Sequence, residues 1–159
     1  MDINIREAEL DDAPLIAALT RSAWAERVAA TSSGHRESAE AVLENLREGG
    51  GFILSVDGLP VGSVRWLPLE SSPDIWEISR IGILPGQRGN RLSQHLLEAV
   101  IHHAQLAEAT ELRLAVRIDQ PRLLDLYATF SFELAPELDY AHANPLEPAP
   151  AVMRRMLRR

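Results

Sequence analysis

The stretch from Glu77 to Leu97 constrains this chain more than any other, because it reads as a strand, a tight turn and a helix in immediate succession. Glu77, Ser79, Ile81 and Ile83 alternate along the first part and are expected to share one face of the strand. Pro85-Gly86 ends that strand, since proline has no amide donor and glycine accepts positive φ. Arg88-Gly89-Asn90-Arg91 then leads into a helix whose apolar positions, Leu92, Leu96, Leu97, Val100 and Ile101, fall on one face. A helix that starts straight after a turn leaves its first amides unpaired at the positive end of its dipole. The junction is therefore an anion site.

The rest of the chain can be read around this unit. Ile3-Asn4-Ile5-Arg6 alternates as a first strand, and Asp11 or Asp12 is expected to cap a helix with Pro14 in its first turn. Ser38 to Glu48 is a second amphipathic helix, ended by Gly49-Gly50-Gly51. Phe52–Val56 and Val61–Leu67 flank Asp57-Gly58, a hairpin signal. After the helix from about Asn90 to Ala107 come a strand at Glu111–Val116 and a short helix opened by Pro121. Phe132-Glu133-Leu134 starts another strand, Pro136–Pro150 is a proline-rich loop, and Val152–Leu157 is a closing strand. The strand–helix–strand passage from Ile75 to Val116 calls for a parallel pair with a crossover helix, while the hairpins are antiparallel. The expected fold class is α/β (α+β): one domain over residues 1–159, with a mixed six- to seven-stranded sheet and about four helices on its two faces.

Composition narrows the function. The formal net charge is −7, which argues against nucleic acid as a partner. All 16 basic residues are arginine, and four lie in the last six positions, so the chain up to Met153 carries 12 arginines against 23 acids, or −11. An acidic body suits a cationic acceptor such as an amine. No cysteine is present, so disulfides, thiolate metal sites and a cysteine nucleophile are excluded. No run is apolar enough for a membrane span, and Met1–Arg6 lacks the core of a signal peptide, so a cytoplasmic protein without membrane partners is expected. The five histidines lack metal-site spacing, with His102-His103 expected on the exposed side of its helix; no metal is expected. His35 and His142, together with Trp24, Trp66, Trp76 and Tyr140, are grouped as the lining of an acceptor pocket, with Trp24 and Trp66 also readable as core.

Ile83-Leu84-Pro85 and Arg88-Gly89-Asn90-Arg91-Leu92-Ser93 resemble the acyl-CoA-binding motif of the GNAT superfamily of N-acetyltransferases, with Arg91 and Ser93 where that family commonly has glycine. Tyr127-Ala128-Thr129-Phe130-Ser131-Phe132 resembles its Tyr-x-x-x-Gly-Phe segment, with Ser131 in place of glycine. Gln120, seven residues before the tyrosine, stands where the family often has an asparagine on the cofactor. The order of elements agrees over nearly the whole chain.

The resemblance implies acetyl transfer from acetyl-CoA, as co-substrate, to a primary amine of a small molecule or peptide, and it allows a homodimer. The turn amides from Gly89 to Gln94, through Asn90, Arg91, Leu92 and Ser93, would hold the diphosphate with Arg88 and Arg91. Ile81, Gly82 and Ile83 would pair with the pantetheine arm, and Gln120 would contact the cofactor. Tyr127 would be the general acid for the departing thiolate and Glu77 the general base, directly or through water. The alternative is a catalytically weak acyl-CoA-binding module acting as a sensor or partner subunit. A different nucleotide-binding α/β protein would need a glycine fingerprint that is missing.

Overall fold

The computed structural model describes residues 1–24, 37–88, 91–117, 120–141, 146 and 148–157. Its elements are β1 (Ile3–Glu7), α1 (Ala13–Trp24), α2 (Ala39–Glu48), β2 (Gly50–Val56), β3 (Leu59–Pro68), β4 (Ile75–Ile83), α3 (Leu92–Leu106), β5 (Glu111–Val116), α4 (Arg122–Ala128), β6 (Glu133–Leu134) and β7 (Ala151–Met156). Seven strands form one sheet in the order β1-β2-β3-β4-β5-β7-β6. The expected mixed α/β fold is what the chain adopts. Every neighbouring pair is antiparallel except β4–β5, the parallel pair whose crossover is α3.

Each face of the sheet carries its own core. On one side α1 and α2 bury Ala13, Ile16, Ala17, Val42 and Leu46 against Ile53. On the other, Leu92, Leu96, Leu97, Val100 and Ile101 of α3 are all buried, together with Val64, Ile78, Ile83 and Leu112. The helical spacing read from those five positions is thus the packing face of α3. Leu123, Leu124, Tyr127 and Phe130 from α4 and the turn after it pack at the edge of the same core.

Several local readings are corrected. Leu10–Asp12 is a 3₁₀ turn, and Asp12 closes it by accepting from the Glu9 amide at 2.8 Å while paired to Arg6. Ser38 does cap α2, accepting from the Ala41 amide at 3.1 Å. Only Gly49 ends α2; Gly50 and Gly51 already belong to β2. The closing strand β7 inserts between β5 and β6, an order that no local pattern encodes.

The four residues expected on one face of β4 do not share it. Ser63 pairs with Gly82 and Arg65 with Ser79, so Arg80 and Ile81 together oppose Val64: a β-bulge. Arg80 sits at φ 55 within it. The bulge inverts the alternation. Glu77 and Ser79 face α1 and α2, whereas Ile83 joins Ile78 in the core beneath α3.

Candidate active site

β4 and β5 pair only at Ile75↔Glu111, Trp76↔Leu112 and Glu77↔Arg113. Beyond Glu77 the two strands diverge, and the sheet opens. A cleft of about 310 Å³ occupies the region of this opening, bounded on one side by the bulged end of β4 and the start of α3, on the other by Arg117, Gln120 and α4. Of the residues expected to hold a cofactor, Ile81, Gly82, Ile83, Arg88, Arg91, Leu92, Ser93 and Gln120 line it, and so does Tyr127. Gly89 and Asn90 lie outside the described residues, as do His35 and His142. Glu77 and Gln94 are not among the lining residues.

The start of α3 is defined by Arg91. Arg91 is the cap residue, at φ 56 and ψ 27, and its carbonyl accepts from the amides of Gln94 (3.1 Å) and His95 (3.3 Å). The Gln94 amide is therefore committed within the turn, leaving those of Leu92 and Ser93 outside the helix's own ladder. Arg91 adopts the left-handed conformation that glycine reaches without strain, at a cost of about 1 kcal/mol for a side-chain-bearing residue. Ser131, at φ 67, does the same at the position where the resembled Tyr-x-x-x-Gly-Phe segment has glycine. At these two positions the backbone is left-handed, whereas Ser93, the third position where the resembled motifs have glycine, lies in the first turn of α3.

Three arginines, Arg88, Arg91 and Arg117, line the cleft. Arg88 also donates to the carbonyl of Ala23 at 2.5 Å, which ties the end of α1 to the turn. Trp24, next in α1, lies against Gly82: a Cβ there would come within 2.5 Å of the indole and 3.0 Å of the Ala23 Cβ. Glycine at position 82 is what lets α1 approach β4 this closely. Sequence reasoning missed Arg117 as a site residue; its signal was its place just after β5, at the carboxyl end of the parallel pair.

Tyr127 projects from α4 with its ring edge-on to Phe132, centroids 6.3 Å apart. Its hydroxyl takes no hydrogen-bond partner among the described residues, and burial pushes its pKa up to about 12. The phenol therefore keeps its proton across the whole neutral range.

Glu77 is placed differently. It has no exposed surface, and its Oε2 accepts from the amide of Ala141 at 2.8 Å. Tyr140 donates its hydroxyl to the carbonyl of Ile78 at 2.8 Å, and burial together with the Glu77 charge raises its pKa. The loop after β6 is thus pinned where β4 and β5 part.

The aromatic grouping of the sequence reading separates. Trp66 and Trp76 stack at 5.5 Å on the α3 side, and His103 lies 4.9 Å from Trp66, half-buried rather than on an exposed face. Trp24 alone of the tryptophans reaches the cleft. Among the described residues, no set of three or more histidines and carboxylates is gathered closely enough to hold a metal ion.

The chain's overall shape is shared with solved acetyltransferases. The ribosomal-protein-S18-alanine N-acetyltransferase of Escherichia coli superposes with a TM-score of 0.76 at 17% identity, covering 99% of this chain and 96% of that one. The PaiA N-acetyltransferase of Thermoplasma acidophilum, solved in complex with coenzyme A, gives 0.76 at 16% identity over 98% and 99% of the two chains. The ribosomal-protein-alanine N-acetyltransferase of Brucella melitensis gives 0.75 at 18% identity over 96% and 99%. At such identities the likeness is one of fold. No curated protein matches the sequence. A family model does, that of the Acetyltransferase (GNAT) family, over residues 16–132, and on that match the chain belongs to this family.

Proposed function

We propose that this chain is an N-acetyltransferase that moves the acetyl group of acetyl-CoA directly to a primary amine of a small molecule or peptide. The observation that carries the reading is the cleft itself, where three arginines, the open end of α3 and a protonated tyrosine line one space beside an unpaired strand edge. Its donors suit an acyl-CoA. The guanidinium groups of Arg88, Arg91 and Arg117 and the amides of Leu92 and Ser93 offer charge-assisted hydrogen bonds to a diphosphate. Ile81, Gly82 and Ile83 offer a strand edge to the pantetheine amides, and Gln120 a carboxamide. Gly89 and Asn90, between Arg88 and Arg91 in sequence, are proposed for the same diphosphate contact. The bound co-substrate supplies an activated acyl group as a thioester.

In this reading Tyr127 provides the proton for the departing sulfur. Glu77 accepts the proton of the incoming ammonium through water, since the carboxylate itself is enclosed and already holds the Ala141 amide. Glu77→Gln is then expected to lower turnover about tenfold near neutrality, with the deficit closing at high pH, where the amine is already neutral. A variant whose pH–rate profile matches wild type removes Glu77 from the proton path. The relatives that act on ribosomal-protein alanine support a peptide amine as one acceptor class.

Acetyl-CoA at a hundred times its Kd adds about 2.7 kcal/mol to folding stability, which for a domain of this size raises Tm by roughly 5–10 °C. No shift at millimolar acetyl-CoA would sink the proposal. Release of free thiol over a panel of amines tests the transfer itself. A shift in Tm without thiol release from any amine moves the chain to the class of acyl-CoA-binding sensor modules. The glycine-like backbone at Arg91 and Ser131 favours the enzyme, because those departures leave the backbone conformation intact.

A further inference from the structure

Glu37 lies immediately before the cap of α2 and is almost wholly buried, at 8% exposure. Its carboxylate is held from two strands at once. Arg65 of β3 donates to Oε1 through Nη2, and Arg80 of β4 donates to the same oxygen through Nε at 3.0 Å. Its backbone carbonyl accepts from Arg21 of α1 at 2.6 Å. Arg65, at 1% exposure, also reaches Asn45 of α2 at 2.9 Å and Thr20 of α1 at 3.5 Å. Glu37 and Arg65 together thus join both helices of this face to the two strands beneath them.

This arrangement is a poor device for stability alone. The Nε of Arg65 has no partner among the described residues, and buried ion pairs gain little over apolar side chains of the same volume. What they can supply is a choice between registers. Arg80 is the residue at φ 55 in the β4 bulge, and without the bulge Gly82 and Ile83 would exchange faces. Gly82 would then leave Trp24, and Ile83 would leave the core under α3.

We infer that Glu37 is a positioning residue: by gripping Arg80, it holds the β4 bulge that presents Ile81, Gly82 and Ile83 to the cleft. The consequence for turnover rests on the acyl-CoA reading; the effect on the backbone does not. Amide hydrogen exchange in ligand-free protein is therefore the primary test. In Glu37→Gln the amides of Ile81–Ile83 are expected to exchange about tenfold faster while those of β1 and β2 keep their rates. Turnover should fall about tenfold and the Kd for CoA should rise severalfold, because Ile81–Ile83 offer the strand edge to the pantetheine arm, and Glu37→Asp should recover part of both losses. Equal acceleration throughout the sheet, or none at Ile81–Ile83, overturns the inference.

A second pair of variants keeps the test decisive if Glu37→Gln fails to fold. Arg80→Ala loses the grip but keeps the strained φ, so Ile81–Ile83 should exchange about tenfold faster. Arg80→Gly accepts that φ unaided and should stay near wild type. Identical behaviour of the two variants refutes the role of Glu37. If wild type neither binds acetyl-CoA nor releases thiol, the proposed function fails, whatever these exchange rates are.

Discussion

Tyr127→Phe is expected to lower kcat about a hundredfold while leaving the Kd for acetyl-CoA within twofold. The substitution removes one oxygen and keeps the ring, so the edge-on contact with Phe132 and the packing of α4 survive. The hydroxyl has no partner among the described residues, so its loss strands no hydrogen-bonding group there. What disappears is the proton. With its pKa pushed up to about 12 by burial, the phenol is protonated wherever the enzyme works. Steady-state thiol release paired with calorimetric titration of acetyl-CoA separates the two constants, and an unchanged kcat takes Tyr127 out of the mechanism. The same shift has a signature in stability. The folded pKa lies above the ordinary value of 10.0, so stability is unaffected by this group below pH 10 and falls as pH rises toward 12. The phenylalanine variant should lack that alkaline decline.

Arg65→Met should destabilise the fold by about 3–5 kcal/mol, the usual result when one partner of a buried ion pair is removed. Methionine fills much of the space, so the cost is mainly electrostatic: among the described residues the Glu37 carboxylate keeps only Arg80 as a cation, while Asn45 and Thr20 lose a donor. Burial alone would raise the Glu37 carboxyl, but the hydrogen bond and charge of Arg65, with the charge of Arg80, outweigh it and hold the pKa below the ordinary 4.5. A depressed folded pKa contributes stability that is complete above pH 4.5 and is lost as pH falls through the folded value. Asp12, lowered by its hydrogen bond to Arg6, adds a loss of the same sign. Urea midpoints at constant m measure the first effect, and their pH dependence the second; the variant should show a shallower acid decline than wild type. A cost below about 1 kcal/mol would mean that Arg80 alone satisfies the buried carboxylate.

The strand–turn–helix around Pro85 was legible because periodicity and turn chemistry are short-range signals. Leu92, Leu96, Leu97, Val100 and Ile101 announce a helix face and are buried together. Tyr127 and Gln120 became legible only through their fixed spacing to one another in a family pattern, and both line the cleft. The β4 bulge gave no warning. Its left-handed residue is an arginine, not a glycine, and its cause lies in partners distant along the chain: Arg80 meets Glu37 across 43 positions and Arg65 meets it across 28. Alternation therefore assigned Ile81 and Ile83 to the wrong side. His103 was misplaced for a similar reason. Nothing local says that Phe52, Trp66 and Trp76 will gather around that turn of α3.

The three pairs that join β4 to β5 have a mechanical consequence. Four strands, with α1, α2 and α3 packed on them, stand on one side of that seam; three strands and α4 stand on the other. Each part has its own hydrogen-bonded ladder, and the backbone stitching between them is short. The cleft draws its walls from both, with Arg88 and Arg91 on one part and Arg117, Gln120 and Tyr127 on the other. A molecule bound there bridges the seam as a removable brace. Its binding energy adds to the cohesion between the two parts rather than to the rigidity of either, reinforcing a seam that otherwise rests on those three pairs, the pins from Tyr140 and Ala141, and the core shared beneath α3.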